Sequence, residues 1–448
     1  MPSEPPPRGN PNPEGGVLRK KIRTRNAVAL YVSSVLGPGV LVLPALAAQV
    51  AGPASLIAWG ILGAASLAFA ITFSSLSARR PEAGGVYGFA KEAFGQTAAS
   101  TIGWLFAAWS LIGAPAVALI AASYVEYAFS LPRYIAFLIG FLVLGLAVTV
   151  NLRGIVASNR VQLAVIGSIV ALLVAVLVCA STRIATANFQ PVFPHGYLSV
   201  GTAGALIFWS YLGYENVSNV ASEFERPERD FRRAVWISVA IIGVLYFALA
   251  FVTVGTEAFQ AGNGTAPFAF ILADTFGPYG AAVTAVLSLV IVFATVNAYM
   301  TGMSRVFYAT ALDGGFPSGM AHLHPRARVP DWALVILFVG SGMTLLVYYF
   351  ANISLGTAIL TAGGAALSVY VIGSAAGLRV WLREGVRNRG LASLAAVSLI
   401  ISAVLLPFVG VPLVVAGVVV VVAVLYTTLR SGRARPRVPS PEGESPLP

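Results

Sequence analysis

Phe208-Trp209-Ser210-Tyr211-Leu212-Gly213-Tyr214-Glu215-Asn216 lies in a stretch that opens as an apolar span at Gly204 and ends in a run of charge before Ala234. Its first half reads as a membrane helix, yet Gly213, Tyr214, Glu215 and Asn216 fall where the hydrocarbon centre should be. A carboxylate at that depth is costly unless it faces protein or a water-filled cavity, so Glu215 is a functional candidate. The alternative is a structural pair between Glu215 and a buried donor.

A second interruption stands in Leu36-Gly37-Pro38-Gly39-Val40. Glycine is a poor helix former and proline removes a backbone donor, so this segment should unwind the first apolar helix near its middle. Interrupted helices in corresponding places of two chain halves point to the binding site of a secondary transporter. Taken alone, the Gly-Pro-Gly triplet is equally compatible with a kink.

The composition sets the class. With 57% hydrophobic and 10% charged residues in 448, the chain is no soluble globular domain. It reads as an all-α polytopic membrane protein. The single Cys179 and three scattered histidines, His195, His322 and His324, offer neither a disulfide framework nor a metal cluster, and no cofactor is expected. Residues 1–25 form a disordered basic tail, and twelve apolar spans follow at about 26–50, 54–77, 98–128, 133–152, 157–181, 199–222, 234–256, 278–311, 332–351, 355–378, 391–408 and 410–429. The last two spans are separated only if Pro407 to Pro412 form a tight turn. Residues 430–448 form a second disordered tail.

The basic residues test this count. With the N-terminus in the cytoplasm, 26 of the 28 Lys and Arg residues fall in the tails and the even-numbered connections, and only Arg133 and Arg183 fall outside. That asymmetry is what the positive-inside rule requires of twelve spans with both termini cytoplasmic in a plasma membrane. The net charge of +11 then reports topology and contact with anionic lipid in the bilayer, and a nucleic-acid partner is unnecessary.

An internal repeat follows. Lys91-Glu92-Ala93-Phe94-Gly95 after span 2 and Ala273-Asp274-Thr275-Phe276-Gly277 after span 7 each end in acidic-small-Phe-Gly and lead into an unusually long helix. The offset of 182 from Glu92 to Asp274 nearly matches the offset of 176 from Gly37 to Gly213. The same shift therefore carries spans 1–5 (residues 26–182) onto spans 6–10 (residues 183–378), with residues 379–429 adding two spans. Five is odd, so the second copy enters the membrane from the other side, giving a five-plus-five inverted repeat with broken helices 1 and 6.

At this point the residues resemble a known family. Gly37-Pro38-Gly39, Pro81-Glu82-Ala83-Gly84-Gly85-Val86-Tyr87, Phe208 through Glu223 with Arg226-Pro227-Glu228-Arg229, and Ser304-Arg305 with Asp313-Gly314 look like the amino acid–polyamine–organocation superfamily. Within it, Ala221-Ser222-Glu223-Phe224-Glu225-Arg226-Pro227-Glu228-Arg229-Asp230-Phe231 most resembles the bacterial methionine and branched-chain amino acid exporters. The resemblance implies a substrate held between broken helices 1 and 6 and touched by helices 3, 8 and 10. It places the α-carboxylate at the amides around Gly37 to Val40, the α-ammonium at carbonyls near Trp209 to Leu212, and an aromatic cover at Trp209. Pro38 departs from the small polar residue of many relatives and has no N–H, which leaves Gly39 and Val40 as donors.

The chemistry is consistent with that placement. Unwound backbone exposes donors at one end and acceptors at the other, which suits a zwitterionic amino acid. The expected substrate contacts are Ser34, Gly37, Gly39, Val40, Trp209, Ser210, Leu212, Gly213 and Tyr299, with Ser33, Ala107, Ala108, Ser110, Asn297 and Met300 as further lining residues. None of these is charged, so neutral and apolar substrates are favoured. Small and hydroxyl residues in membrane helices also serve packing, which is the competing reading for each.

For coupling, Glu215 is a titratable candidate, and Ile169 stands where some proton-coupled relatives carry a lysine. Proton linkage, a coordinated cation and uncoupled exchange all remain open. Arg229 and its neighbouring charges are either a solvated cap or an ion-pair gate at the inner mouth. The direction stays open between a proton-linked exporter and an uptake permease or exchanger, and a transporter-like sensor stands as the reading from another class. The break yields one expectation: Gly213→Val fills the site and favours regular structure, so it should abolish transport at unchanged membrane insertion, whereas wild-type flux would place the site elsewhere.

Overall fold

The computed structural model describes residues 28, 32, 35–79, 85–154, 159–213, 232–260, 262, 264–325, 327–385 and 388–431. Glu215, Arg229, Ser33 and Ser34 lie outside the described residues. Among the described residues every regular element is helical. The α-helices are α1 (Leu43–Ala51), α2 (Ser55–Arg79), α3 (Val86–Phe94), α4 (Gln96–Phe129), α5 (Arg133–Leu152), α6 (Asn159–Ser181), α7 (Ser199–Ile207), α8 (Arg232–Gly255), α9 (Pro267–Phe276), α10 (Pro278–Leu312), α11 (Asp331–Phe350), α12 (Leu355–Arg383), α13 (Arg389–Leu405) and α14 (Leu413–Ser431).

Nine described stretches are long and apolar enough to cross a membrane, one of them joining α1 and α2 across the turn at Gly52. From Gln96 onward their ends fall close to those of the expected spans, although α12 runs on to Arg383, while the first stretch, Leu43–Ser77, begins well inside the first expected span and runs through the second. The expected turn between the last two spans is present: a 3-10 turn over Leu406–Val409, Gly410 at φ +72°, and α14 from Leu413. Large apolar side chains such as Leu142, Val244, Met343 and Val418 are exposed along the helices and make a surface suited to lipid. The centre is α4, with 83% of its apolar window buried against 28% for the window in α6.

The two acidic-small-Phe-Gly segments take the same form. Short α3 meets the 34-residue α4 at Gly95 (φ +89°), and short α9 meets the 35-residue α10 at Gly277 (φ +62°). Each glycine adopts a backbone that side-chain-bearing residues avoid, so each hinge turns between helices at little cost. The long helices α4 and α10 then pack along each other. Each short helix is tied by its acid to an arginine, Glu92 to Arg79 at 2.9 Å and Asp274 to Arg183.

A polar cluster joins the ends of α2, α3, α10 and α12. Arg79 bridges Glu92 and Glu384, Lys91 meets Asp313 at 3.0 Å, and Tyr87 donates to Asp313 at 3.2 Å. Burial pushes the Tyr87 hydroxyl up to about 12, and the Asp313 charge adds to the shift, so it stays a donor near neutral pH.

Both interruptions are real departures from the helix. Before α1, Gly37 is extended (φ −101°, ψ −179°) and Pro38–Leu41 form a single 3-10 turn with proline at its start. After α7, the chain tightens into a 3-10 turn over Phe208–Tyr211, Leu212 is extended, and Gly213 sits at φ +122°. Unwound carbonyls inside a protein core need donors. Tyr246 of α8 gives its hydroxyl proton to the Val35 carbonyl at 2.8 Å, and Tyr124 of α4 gives its own to the Leu41 carbonyl at 2.6 Å. Both tyrosines are fully buried.

Removing either hydroxyl while keeping the ring tests these anchors. Tyr246→Phe and Tyr124→Phe should each cost about 1 kcal/mol, measurable as a lower Tm in detergent, and the double variant about the sum. Variants that melt like the wild type would remove the anchoring role.

Candidate functional site

The two interruptions lie against each other. A Cβ built on Gly39 would meet the Trp209 ring and the Leu43 side chain at 3.1 Å each and the Ser210 hydroxyl at 3.5 Å. A side chain at this position would press on these groups, so glycine suits their close approach to the first break. On its other side Trp209 rests on α4, where a Cβ at Gly113 would lie 2.7 Å from the indole Cη2. Trp209 is therefore held between two glycines from different helices, and it is buried.

Beside it lies a cavity lined by Trp109, Ser110, Gly113, Ala114, Trp209 and Tyr299. With a volume of about 10 Å³ it has room for roughly one water molecule. None of its lining side chains is charged. Among the described residues, no three His, Cys, Asp or Glu side chains gather in a way that could hold a metal ion.

The structure brings Gly39, Trp209, Ser210 and Tyr299 of the expected contacts to this place. The Ser210 hydroxyl is buried and has no hydrogen-bond partner among the described residues. A buried hydroxyl in that state has hydrogen-bonding capacity to spare at the first break. Gly37 is half-buried, and Val40 is buried with its amide donating to the Gly37 carbonyl over a long 3.4 Å. The Leu212 amide is turned back to the Trp209 carbonyl at 3.3 Å.

Other expected lining residues do different work. Asn297 accepts from Asn151 at 2.8 Å, and Thr301 donates both to Asn151 and to the Asn297 carbonyl, so this polar knot clasps α5 to α10. Ala107, Ala108 and Met300 are buried in the core outside the cavity wall. Ile169 is likewise buried in the hydrophobic core.

Three wall residues escaped the sequence reading: Trp109, Gly113 and Ala114. With Ser110 they occupy positions i, i+1, i+4 and i+5 of one helix, which is a single face. That periodicity was available in the sequence, but a tryptophan in an apolar span reads first as packing.

Comparison with known proteins completes the site's context. The amino acid permease family profile matches residues 22–432. The uncharacterized amino acid permease YecA of Bacillus subtilis is 32% identical over 369 residues, covering 82% of this chain and 87% of that protein. The L-methionine/branched-chain amino acid exporter YjeH of Escherichia coli is 30% identical over 364 residues, covering 81% and 87%. The branched-chain amino acid permease BcaP of Bacillus subtilis is 26% identical over 333 residues, covering 70% and 71%. With apolar membrane-length helices throughout and a family match over nearly its whole length, the chain belongs to the amino acid permease family and is a multi-pass membrane transporter, not an enzyme.

Proposed function

We propose that the protein moves neutral, apolar amino acids across the plasma membrane by alternating access, with export as its direction. The observation that carries this reading is the meeting of two broken helices, Gly39 against Trp209 and Ser210, beside a cavity with no charged wall. A lysine, arginine or glutamate side chain entering such a wall would lose its hydration without gaining a counter-charge, whereas leucine or methionine loses only water contact. Backbone groups at the two breaks serve the charges common to every amino acid: the Gly39 and Val40 amides the carboxylate, the carbonyls of 209–212 the ammonium. Gly37, Leu212 and Gly213 keep those segments unwound, Ser210 contributes a hydroxyl that has no partner among the described residues, and Ser34 completes the set from the first span.

The proposed architecture is twelve spans with both termini in the cytoplasm, of which the first ten form a five-plus-five inverted repeat. Support comes from the matched pairs of short helix, left-handed glycine and long helix at 86–129 and 267–312. It comes also from the two arginines that the charge count leaves on the outer side. Arg183 is occupied by Asp274, and Arg133 by Asn352, the Tyr348 carbonyl and the Phe137 and Tyr349 rings. Export is supported by the likeness to the exporter YjeH. Uptake or exchange is the second reading, supported by the likeness to the permease BcaP.

Proteoliposomes loaded with labelled amino acids test the substrate class. Counterflow is expected for leucine, valine, isoleucine or methionine and not for lysine, arginine or glutamate; robust lysine exchange would overturn the charge argument. For coupling, Glu215 takes up and releases the driving proton in this proposal, with Arg229 in an inner gate. Glu215→Gln keeps size and hydrogen-bonding capacity but removes the titration. It should abolish flux driven by a pH gradient and spare exchange at symmetric pH, and a variant still driven by the gradient would end the proton role of Glu215.

A further inference from the structure

Trp109 holds the centre of the cavity wall. Its indole stacks on Phe106 with centroids 5.6 Å apart and planes at 20°, and meets Trp209 edge-on at 6.3 Å and Tyr299 at 6.4 Å. It is buried, and its Cδ1 lies 3.2 Å from where a Gly113 side chain would begin. Such offset and edge-to-face contacts fix a ring's orientation as well as burying its area. Trp109 is thereby held by three rings: Phe106 stacks on one face, and Tyr299 and Trp209 meet it edge to face.

The two tryptophans differ in what carries them. Trp209 belongs to a 3-10 turn that runs into the extended Leu212 and the left-handed Gly213. Trp109 belongs to the 34-residue α4, which runs on past it through Pro115 to Phe129. Around the Trp209 ring, the cavity wall is made of Trp109, Ser110, Gly113 and Ala114 of α4 and Tyr299 of α10. The Ser110 hydroxyl proton is given to the Phe106 carbonyl at 2.7 Å, so this serine offers a substrate side chain an acceptor oxygen and no donor.

Resting on the proposed transport of neutral amino acids, we propose that Trp109 is the specificity-determining residue of the side-chain subsite. It sets the depth of the slot, so that aliphatic and thioether side chains enter and the rings of phenylalanine, tyrosine and tryptophan are excluded. The small face of Gly113 and Ala114 accommodates branching, and the electron-rich rings of Trp109 and Tyr299 give a thioether favourable contacts. A second aromatic ring would need the volume that the Trp109 indole already fills, and packed aromatic cores do not yield that volume cheaply.

The test is substrate selectivity in proteoliposomes, read as the ratio of kcat/KM for phenylalanine to that for leucine, which does not depend on how much protein is folded. In the wild type this ratio should lie below about 0.1, since a few misplaced ring carbons suffice for tenfold discrimination. Trp109→Ala should raise it by at least about tenfold, and Trp109→Phe, which keeps an aromatic stack against Phe106, should give an intermediate rise. If Trp109→Ala fails to fold, Trp109→Phe decides the matter alone. An unchanged ratio in the folded variants overturns the proposal, as does a wild type that carries phenylalanine as well as leucine, and both leave the transport reading standing. A wild type that moves no neutral amino acid overturns both.

Discussion

Inside a bilayer every backbone polar group must find a partner within the protein, and this requirement governs where a membrane helix is able to stop. Here the first helix stops at Leu36 and Gly37 and resumes at Leu43, and the carbonyls on either side of the gap, Val35 and Leu41, receive tyrosine hydroxyls from α8 and α4. The unwound stretch is thus short and held from outside by helices that are themselves continuous. Its position is set by α4 and α8, and the local sequence supplies only the permission to unwind. Proline contributes by withholding an amide, and the glycines by leaving room for Trp209 and Ser210.

The second interruption is organised by the geometry of the 3-10 turn. In such a turn residues three apart fall on the same side. Phe208 and Tyr211 accordingly both reach toward α2: Phe208 packs on Phe69 and Tyr370, Tyr211 on Trp59 and Tyr246, with centroids between 5.0 and 6.1 Å. Trp209 and Ser210 are left facing the other way, against Gly39. An α-helical continuation would have spread these four side chains differently, so the tightening of the helix is what separates an anchoring pair from a pair that meets the first break. Anchoring and exposure of the site are the same structural fact.

Much of this was legible in the sequence because the membrane imposes a coarse code. Span positions follow from runs of apolar residues, and the described helices keep those positions. The first interruption was marked by Gly37-Pro38-Gly39, the second by Gly213 and the polar residues after it, and the short-helix, long-helix units by the repeated acidic-small-Phe-Gly. What escaped was which face each side chain takes. Asn297 looked like a polar lining group, yet its carboxamide is drawn into the knot with Asn151 and Thr301, because a buried amide joins a hydrogen-bond network where one is within reach. Trp109 and Gly113 drew no attention, because the contact that gives them meaning is with Trp209, about a hundred residues away. Contacts between helices distant in sequence leave no local periodicity to read.

The contrast between the two tryptophans also bears on how the proposed cycle is able to proceed. The cavity holds about one water, so an amino acid enters only when Trp209 withdraws. Its segment ends in the extended Leu212 and in Gly213 at φ +122°, residues that already lie outside the helical ladder. A rotation taken up at those two residues changes φ and ψ without severing a run of intrahelical hydrogen bonds, which is the property that suits a hinge. The opposing wall lies on α4, a single helix from Gln96 to Phe129 that loses a rung of its ladder at Pro115 and is held in place by being more enclosed than the other spans. Mobility and rigidity are thus assigned to opposite sides of one small space: the broken helix carries the part that must move, and the central helix carries the part that measures what has entered.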